Sequence, residues 1–241
     1  MEKIVLGVKI DDISMDEAVR TVSSWLSKPG KHSIVTPNPE ILVAAKEDNQ
    51  LQIVLNKSNL AVPDGIGLKM AGIKNRISGT DLMIELVKLA AEKGYFIGLL
   101  GGRDKVAERA ADVLKKKFPK LKISFASSGG DIDESGINKY SSNVVRSKFS
   151  LRSNDNVPNT DILFVAFGPP KQEKWIARNL KKIPVKIAMG VGGAFDFISG
   201  EIPRAPKWIR ALGLEWLFRL IVEPWRIRRQ LALIKYLIML W

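Results

Sequence analysis

The sequence LAVPDGIG, Leu60 to Gly67, sets one carboxylate, Asp64, between the end of an apolar run and a pair of glycines. Leu60 to Val62 has strand character, and Pro63, which has no N–H to donate, stops the ladder. Gly65 and Gly67 let the chain turn and let a ligand approach the backbone closely. Ile66 to Met70 then reads as the start of a helix. A carboxylate at the carboxyl end of a strand is where an open α/β sheet gathers its ligand chemistry. The competing local reading is that Asp64 only caps the helix after it.

The flanking sequence extends this pattern in both directions. Ile4 to Ile10 reads as a strand, and Ser14 with Glu17 forms a capping box for a helix over Met15 to Leu26. Ser33 to Val35 is a short strand running into TPNPE, Thr36 to Glu40, where two prolines forbid its continuation and a helix begins at Glu40. Asn49 is the expected cap of the next helix and Thr80 of the one ending at Lys93. Further strands are expected over Tyr95–Leu100, Lys122–Ala126, Ile162–Ala166 and Val185–Val191. Helices fill the gaps up to about Phe118 and through Leu180. The polar stretch Ser128 to Asn159 shows at most one helix, near Ile137 to Lys148. Strands alternating with helices predict an α/β fold, a Rossmann-like, mostly parallel sheet flanked by helices. A compositional break near Ser199 to Pro206 divides a core, residues 1–200, from a C-terminal helical appendage, residues 201–241.

The 241 residues contain no cysteine and a single histidine, His32. Disulfides, thiolate sites and multi-histidine metal sites are thereby excluded, and any Ser-His-Asp triad would depend on His32. Net charge is +13; the last 39 residues hold eight Lys or Arg against Glu215 and Glu223, and four of the six tryptophans. Such an arm suits an anionic partner: nucleic acid, a phosphorylated substrate or an acidic membrane surface. The first ten residues lack the apolar core of a secretory signal, and no apolar run reaches the ~18–20 residues that span a bilayer. The expected location is cytoplasmic.

Five loops at strand ends combine glycine, proline and polar side chains: Thr36 to Asn38, Asp64-Gly65, Gly101-Gly102-Arg103, Gly168 to Gln172 with Lys171, and Gly190 to Gly193 with Gly192. In a parallel sheet these loops meet along one edge and form a shared pocket. Gly101-Gly102 before a helix suits either an anion cradle or a tight turn. Neither G-x-G-x-x-G nor the P-loop pattern is present, which argues against a nicotinamide enzyme or a P-loop kinase. Asp131-Ile-Asp133 has the D-x-D spacing that can hold a metal, but its polar surroundings favour a solvated turn.

In the arm, Trp208, Leu212, Trp216 and Leu220 recur every four residues, one stripe of a helix. Pro224 interrupts that helix. Arg219, Arg226 and Arg229 share a face if the helix only kinks. Leu231 to Trp241, apolar except for Lys235, is suited to lie in a lipid headgroup layer; the alternative is a core or oligomer helix. If the arm is disordered or absent, uncovered apolar surface favours a homo-oligomer.

TPNPEILVAA (Thr36 to Ala45), PDGIGLKMAG (Pro63 to Gly72), ISGTDL (Ile77 to Leu82), GPPKQEKWI (Gly168 to Ile176), GVGGAFDFISG (Gly190 to Gly200) and the arm from Arg204 to Pro224 together resemble the WecG/TagA/CpsF family of glycosyltransferases, in family order over nearly the whole chain. The resemblance implies inverting, metal-independent transfer of N-acetylmannosamine from its UDP derivative. The implied acceptor is the 4-hydroxyl of N-acetylglucosamine on undecaprenyl diphosphate, in wall teichoic acid linkage-unit synthesis, with no cofactor. It implies Asp64 as base, with Thr36, Asn38 and Gln172 beside it and Arg219, Arg226 and Arg229 serving catalysis from an appendage that docks on the inner face of the membrane. Gly101, Gly102, Arg103, Gly168, Lys171, Gly190, Gly192 and Gly193 are the expected UDP-binding positions.

The chemistry agrees with these residues. Single displacement needs one base for the acceptor proton, and the departing UDP needs positive charge or N–H donors. Arginine binds phosphate in bidentate fashion. The alternatives are another UDP-hexose donor within the same family, or a non-catalytic binder of anionic membrane or nucleic acid. Charge alone allows the last, but such a binder has no need of five glycine and proline loops at strand ends.

Overall fold

A computed structural model describes residues 1–137 and 160–241. Six parallel strands form the sheet, in the order β4-β3-β8-β7-β5-β6: β3 His32–Val35, β4 Leu60–Ala61, β5 Phe96–Gly101, β6 Lys122–Ser127, β7 Thr160–Ala166 and β8 Val185–Gly190. The α/β class, the parallel sheet and the flanking helices are as the alternation predicts. Phe164, Val165, Ile187 and Met189 are fully buried. The central strands read as continuous apolar runs because both faces of a parallel sheet are covered.

Helices α1 (Met15–Leu26), α4 (Gly79–Lys93), α5 (Val106–Lys117) and α7 (Ala194–Ser199) enclose one apolar cluster. On the other side lie α2 (Pro39–Glu47), α3 (Asn49–Asn56) and α6 (Lys171–Asn179). The capping box at Ser14 and Glu17 is present.

Four local expectations are corrected. Ile4 to Ile10 is not one strand but an antiparallel hairpin of β1 (Glu2–Val5) and β2 (Val8–Asp11), because Leu6 and Gly7 both take positive φ, 48° and 81°, as a tight hairpin turn requires. Asp48, not Asn49, caps α3, accepting from Leu51 N–H at 2.9 Å. Thr80 caps nothing: α4 begins at Gly79 after Ser78, and Thr80 is buried inside it. The stripe from Trp208 to Leu220 is broken into α8 (Lys207–Ala211) and α9 (Glu215–Val222) at Gly213. Gly213 has φ +78°, and a Cβ there would lie 2.8 Å from Ile66 Cβ. The helix expected near Ile137 to Lys148 lies outside the described residues.

A single 3-10 turn, Pro224–Arg226, joins α9 to α10, Ile227–Leu240. Helix α10 lies against α2 and buries Tyr236 completely in the cluster formed by α2, α3 and the hairpin. Its opposite face leaves Ile227, Leu231, Ile234 and Ile238 exposed, followed by Trp241 at 99%. No helix among the described residues is long and apolar enough to cross a membrane.

Candidate active site

The loops after β3, β4, β5, β7 and β8 open onto one cleft of about 840 Å³. Asp64 is fixed there by its backbone: Val62 N–H donates to Val35 O and Asp64 N–H to Pro37 O, both at 2.9 Å, while Ile77 N–H donates to Pro63 O at 2.8 Å. The loop is thus clamped between the β3 exit and the approach to α4. Asp64 does not cap the next element. That element is a 3-10 turn, Ile66–Ala71, whose flanking residue is Gly65 and which has no side-chain cap.

Burial raises the Asp64 carboxyl to about 7, opposed by the backbone N–H of Gly79 at the start of α4. Glu215 pushes it further up, and Arg76 and the Gly65 N–H pull it down. Both charged neighbours are held by contacts between the arm and α4. Arg204 bridges Asp81 at 2.7 Å and Glu215 at 3.0 Å, and Arg210 reaches Asp81 at 3.3 Å. Arg76 donates to Arg210 O at 2.7 Å.

Beside Asp64, Asn38 caps α2: its Oδ1 accepts from Ile41 N–H at 3.0 Å. The capping bond fixes the amide and leaves its nitrogen as the donor available to the cleft. Thr36 packs on Gly79, where a Cβ would stand 3.3 Å from its Cγ2. Gln172 accepts from Gly192 N–H at 3.0 Å.

Three arginines of the arm line the same cleft. Arg219 bonds Glu223 at 2.6 Å, lies 3.6 Å from Asp196 and covers the Phe197 ring, 4.8 Å from its centroid. Arg226 lies 3.7 Å from the same Glu223, and its Nε is buried with no partner among the described residues. Desolvation and repulsion by Arg219 and Arg229 lower the pKa of Arg226. Arg229 is held by Glu40. Arg219, Arg226 and Arg229 thus face three acids, Glu223, Asp196 and Glu40, and what the group leaves open is the unpartnered Arg226 Nε, a donor that a bound phosphate would meet.

The cleft therefore gathers Asp64, Thr36, Asn38, Gln172, Arg219, Arg226 and Arg229, together with Gly102, Arg103, Gly168, Lys171, Gly192 and Gly193. Gly101 and Gly190 lie behind it. A Cβ on Gly101 would come within 2.6 Å of the Ala166 backbone, and one on Gly190 within 2.9 Å of Gln172 Nε2. The Gly101-Gly102 loop is the tight turn rather than the helix-end cradle. Helix α5 starts only at Val106, and Gly102 N–H is spent on Ala166 O at 3.0 Å. Asp133 Oδ1 accepts from the Ser135 and Ile137 N–H at 2.9 Å each, while Asp131 lines the cleft. His32 stacks on Trp25 with ring centroids 4.3 Å apart, away from the cleft.

Sequence reasoning misses Arg76, Glu173, Asp196 and Glu215, all of which line the cleft. Glu173 and Asp196 stand inside the GPPKQEKWI and GVGGAFDFISG motifs, and Arg76 directly precedes ISGTDL. Glu215 registers in the sequence only as arm charge.

Residues 3–241 match the model of the glycosyl transferase WecG/TagA/CpsF family. Over 209 residues the chain is 36% identical to the N-acetylglucosaminyldiphosphoundecaprenol N-acetyl-beta-D-mannosaminyltransferase of Bacillus subtilis (strain 168), covering 84% of this chain and 76% of that protein. The protein of that name from Staphylococcus aureus (strain MRSA252) is 31% identical over 233 residues, 93% of this chain and 86% of its own. A sequence with these strand-end motifs, matched by the family model from its third residue to its last, belongs to the WecG/TagA/CpsF family of glycosyltransferases.

Proposed function

We propose that this chain transfers N-acetylmannosamine from UDP-N-acetylmannosamine to the 4-hydroxyl of N-acetylglucosamine on undecaprenyl diphosphate; its relatives are named for N-acetyl-beta-D-mannosaminyl transfer to N-acetylglucosaminyldiphosphoundecaprenol. The observation that carries the reading is one cleft with a carboxyl raised to about 7, Asp64, and the arginines Arg76, Arg219, Arg226 and Arg229 around it. Ionised Asp64 takes the proton of the acceptor hydroxyl as its oxygen attacks C1 of the donor sugar. The C1–O bond to UDP breaks on the opposite face and the anomeric configuration inverts. Arginines and the Asn38 amide meet the charge that grows on the departing diphosphate. No metal is required in this scheme, and Asp133 Oδ1 is used by its own turn.

The arm serves two ends in this reading. Its arginines reach the cleft, and the exposed stripe of α10, with Trp208 and Trp225 also exposed, enters the headgroup layer of the membrane that holds the acceptor. The enzyme then acts as a peripheral protein on the cytoplasmic face, where the prenyl diphosphate is presented.

The test is turnover with a panel of UDP-sugars and a short-chain prenyl-diphosphate-linked N-acetylglucosamine, with and without EDTA. Preferential use of UDP-N-acetylmannosamine, undiminished by EDTA, is expected. Preference for a different hexose would move the chain to another branch of its family. A strict metal requirement would overturn the metal-free scheme.

A further inference from the structure

Gln172 and Glu173 open α6, and both are almost fully buried, at 3% and 2% exposure, although both line the cleft. The Gln172 amide has two fixed partners. Its Oε1 accepts from Gly192 N–H at 3.0 Å, and its Nε2 donates to Glu173 Oε1 at 2.8 Å. Gly190 lies beneath it, where a Cβ would come within 2.9 Å of Nε2. A backbone N–H can be met only by the amide oxygen, and an ionised carboxylate only by the amide nitrogen. The Gly192 contact therefore sets the orientation of the amide, and an ionised Glu173 reinforces it. One hydrogen on Nε2 stays uncommitted among the described residues, in a side chain at the cleft wall.

Glu173 bears an evident cost for this arrangement. Its Oε2 is buried with no hydrogen-bond partner among the described residues, and no cation among them pairs with it. Burial raises its carboxyl to about 7, against the hydrogen bond from Gln172 and its own backbone N–H. A buried, half-satisfied carboxyl is destabilising, and its presence calls for a compensating role. Its one side-chain hydrogen-bond partner among the described residues is Gln172.

We propose that Glu173 is a positioning residue, holding the Gln172 amide so that its carbonyl faces Gly192 and its remaining N–H is kept for an oxygen of the bound sugar nucleotide. The inference rests on the glycosyltransferase reading only for the identity of what fills the cleft.

The test combines a double-mutant cycle with a substrate-free measurement. Glu173→Leu is expected to lower kcat/KM for the UDP-sugar by about tenfold to a hundredfold, the range set by losing one partner of a buried hydrogen bond. Glu173→Gln, whose side-chain oxygen still accepts from Gln172, is expected to recover most of that loss. The double variant Gln172→Ala/Glu173→Leu should be no slower than Gln172→Ala alone. Additive losses, or a Glu173→Gln variant as slow as Glu173→Leu, would overturn the proposal.

Without substrate, the Gln172 side-chain amide resonances, assigned by their loss in Gln172→Ala, should shift and exchange faster in Glu173→Leu and stay near their original positions in Glu173→Gln. Unmoved resonances in Glu173→Leu would also overturn it. Glu173→Ala replaces the leucine variant if that one does not fold. A wild-type protein that turns over no UDP-sugar would remove the functional reading alone, because the resonances still decide the role of Glu173.

Discussion

Arg229 Nε donates to Glu40 Oε1 at 2.6 Å, so the last helix of the chain is tied to the first turn of α2, two residues beyond Asn38. The pair is partly exposed, and such pairs contribute only about 0–1 kcal/mol to stability. Its importance is placement: it sets an arm arginine on the rim that also holds the Asn38 amide. Glu40→Ala is expected to leave the melting temperature within about 2 °C while raising KM for the lipid-linked acceptor several-fold. Acceptor kinetics beside a thermal melt check this, and an unchanged KM would detach the pair from acceptor binding.

Asp64→Asn keeps the size of the side chain but removes the carboxylate proposed as base. Turnover should fall by about 10²–10⁴-fold, the usual worth of a positioned base, with UDP-sugar affinity retained. Calorimetric titration of the donor beside steady-state rates separates the two effects. Near-native turnover would remove Asp64 from the mechanism.

Gly193 leaves room for Arg219: a Cβ there would stand 2.5 Å from Nη1. The obstructed atoms are the far end of a flexible side chain, and Gly193 has an ordinary φ of −83°. Gly193→Ala should therefore fold normally and displace the guanidinium. A loss of roughly tenfold in kcat with an unchanged melt is expected, in line with the removal of one charge-assisted contact to the leaving group.

Acidity sets two opposed trends. With Asp64 raised to about 7, the base is ionised only above that pH, so kcat/KM should climb between about pH 6 and 8 and then level. Stability should run the other way. Asp64 and Glu173 have folded values near 7 against ordinary values of 3.8 and 4.5, so the folded chain binds more protons than the unfolded chain between those limits. Stability therefore falls as pH rises from about 4 to about 7 and flattens above. The lowered carboxyls of Asp12 and Asp48 act below that window, their contribution being complete above 3.8. Urea midpoints across pH should show the decline, and Asp64→Asn should reduce it, leaving the part due to Glu173. A midpoint that rises through pH 5–7 would contradict the burial of both groups.

The exposed stripe of α10 yields a prediction about location. Leu231→Glu with Ile238→Glu leaves the buried Tyr236 face intact and should abolish sedimentation with anionic vesicles while the melt changes little. Retained vesicle binding would shift the membrane contact to another surface.

The sheet, the single carboxylate at a strand end and the loops that meet it are all legible in the residues alone. Strand period, proline stops and glycine turns are local signals, and the continuous apolar runs of β7 and β8 leave a parallel sheet little alternative. Asn38 is likewise legible as part of the site, although its capping bond to Ile41 emerges only from the fold. Tertiary contacts settle whatever depends on distant partners. Gly213 breaks the arm because Ile66, far away in sequence, fills the space where a side chain would go. Glu215 acts on Asp64 because Arg204 fixes it beside α4. Glu173 becomes visible only through its burial and the unpartnered Oε2. Each of these is a long-range electrostatic or steric relation, and no residue pattern within one segment encodes it.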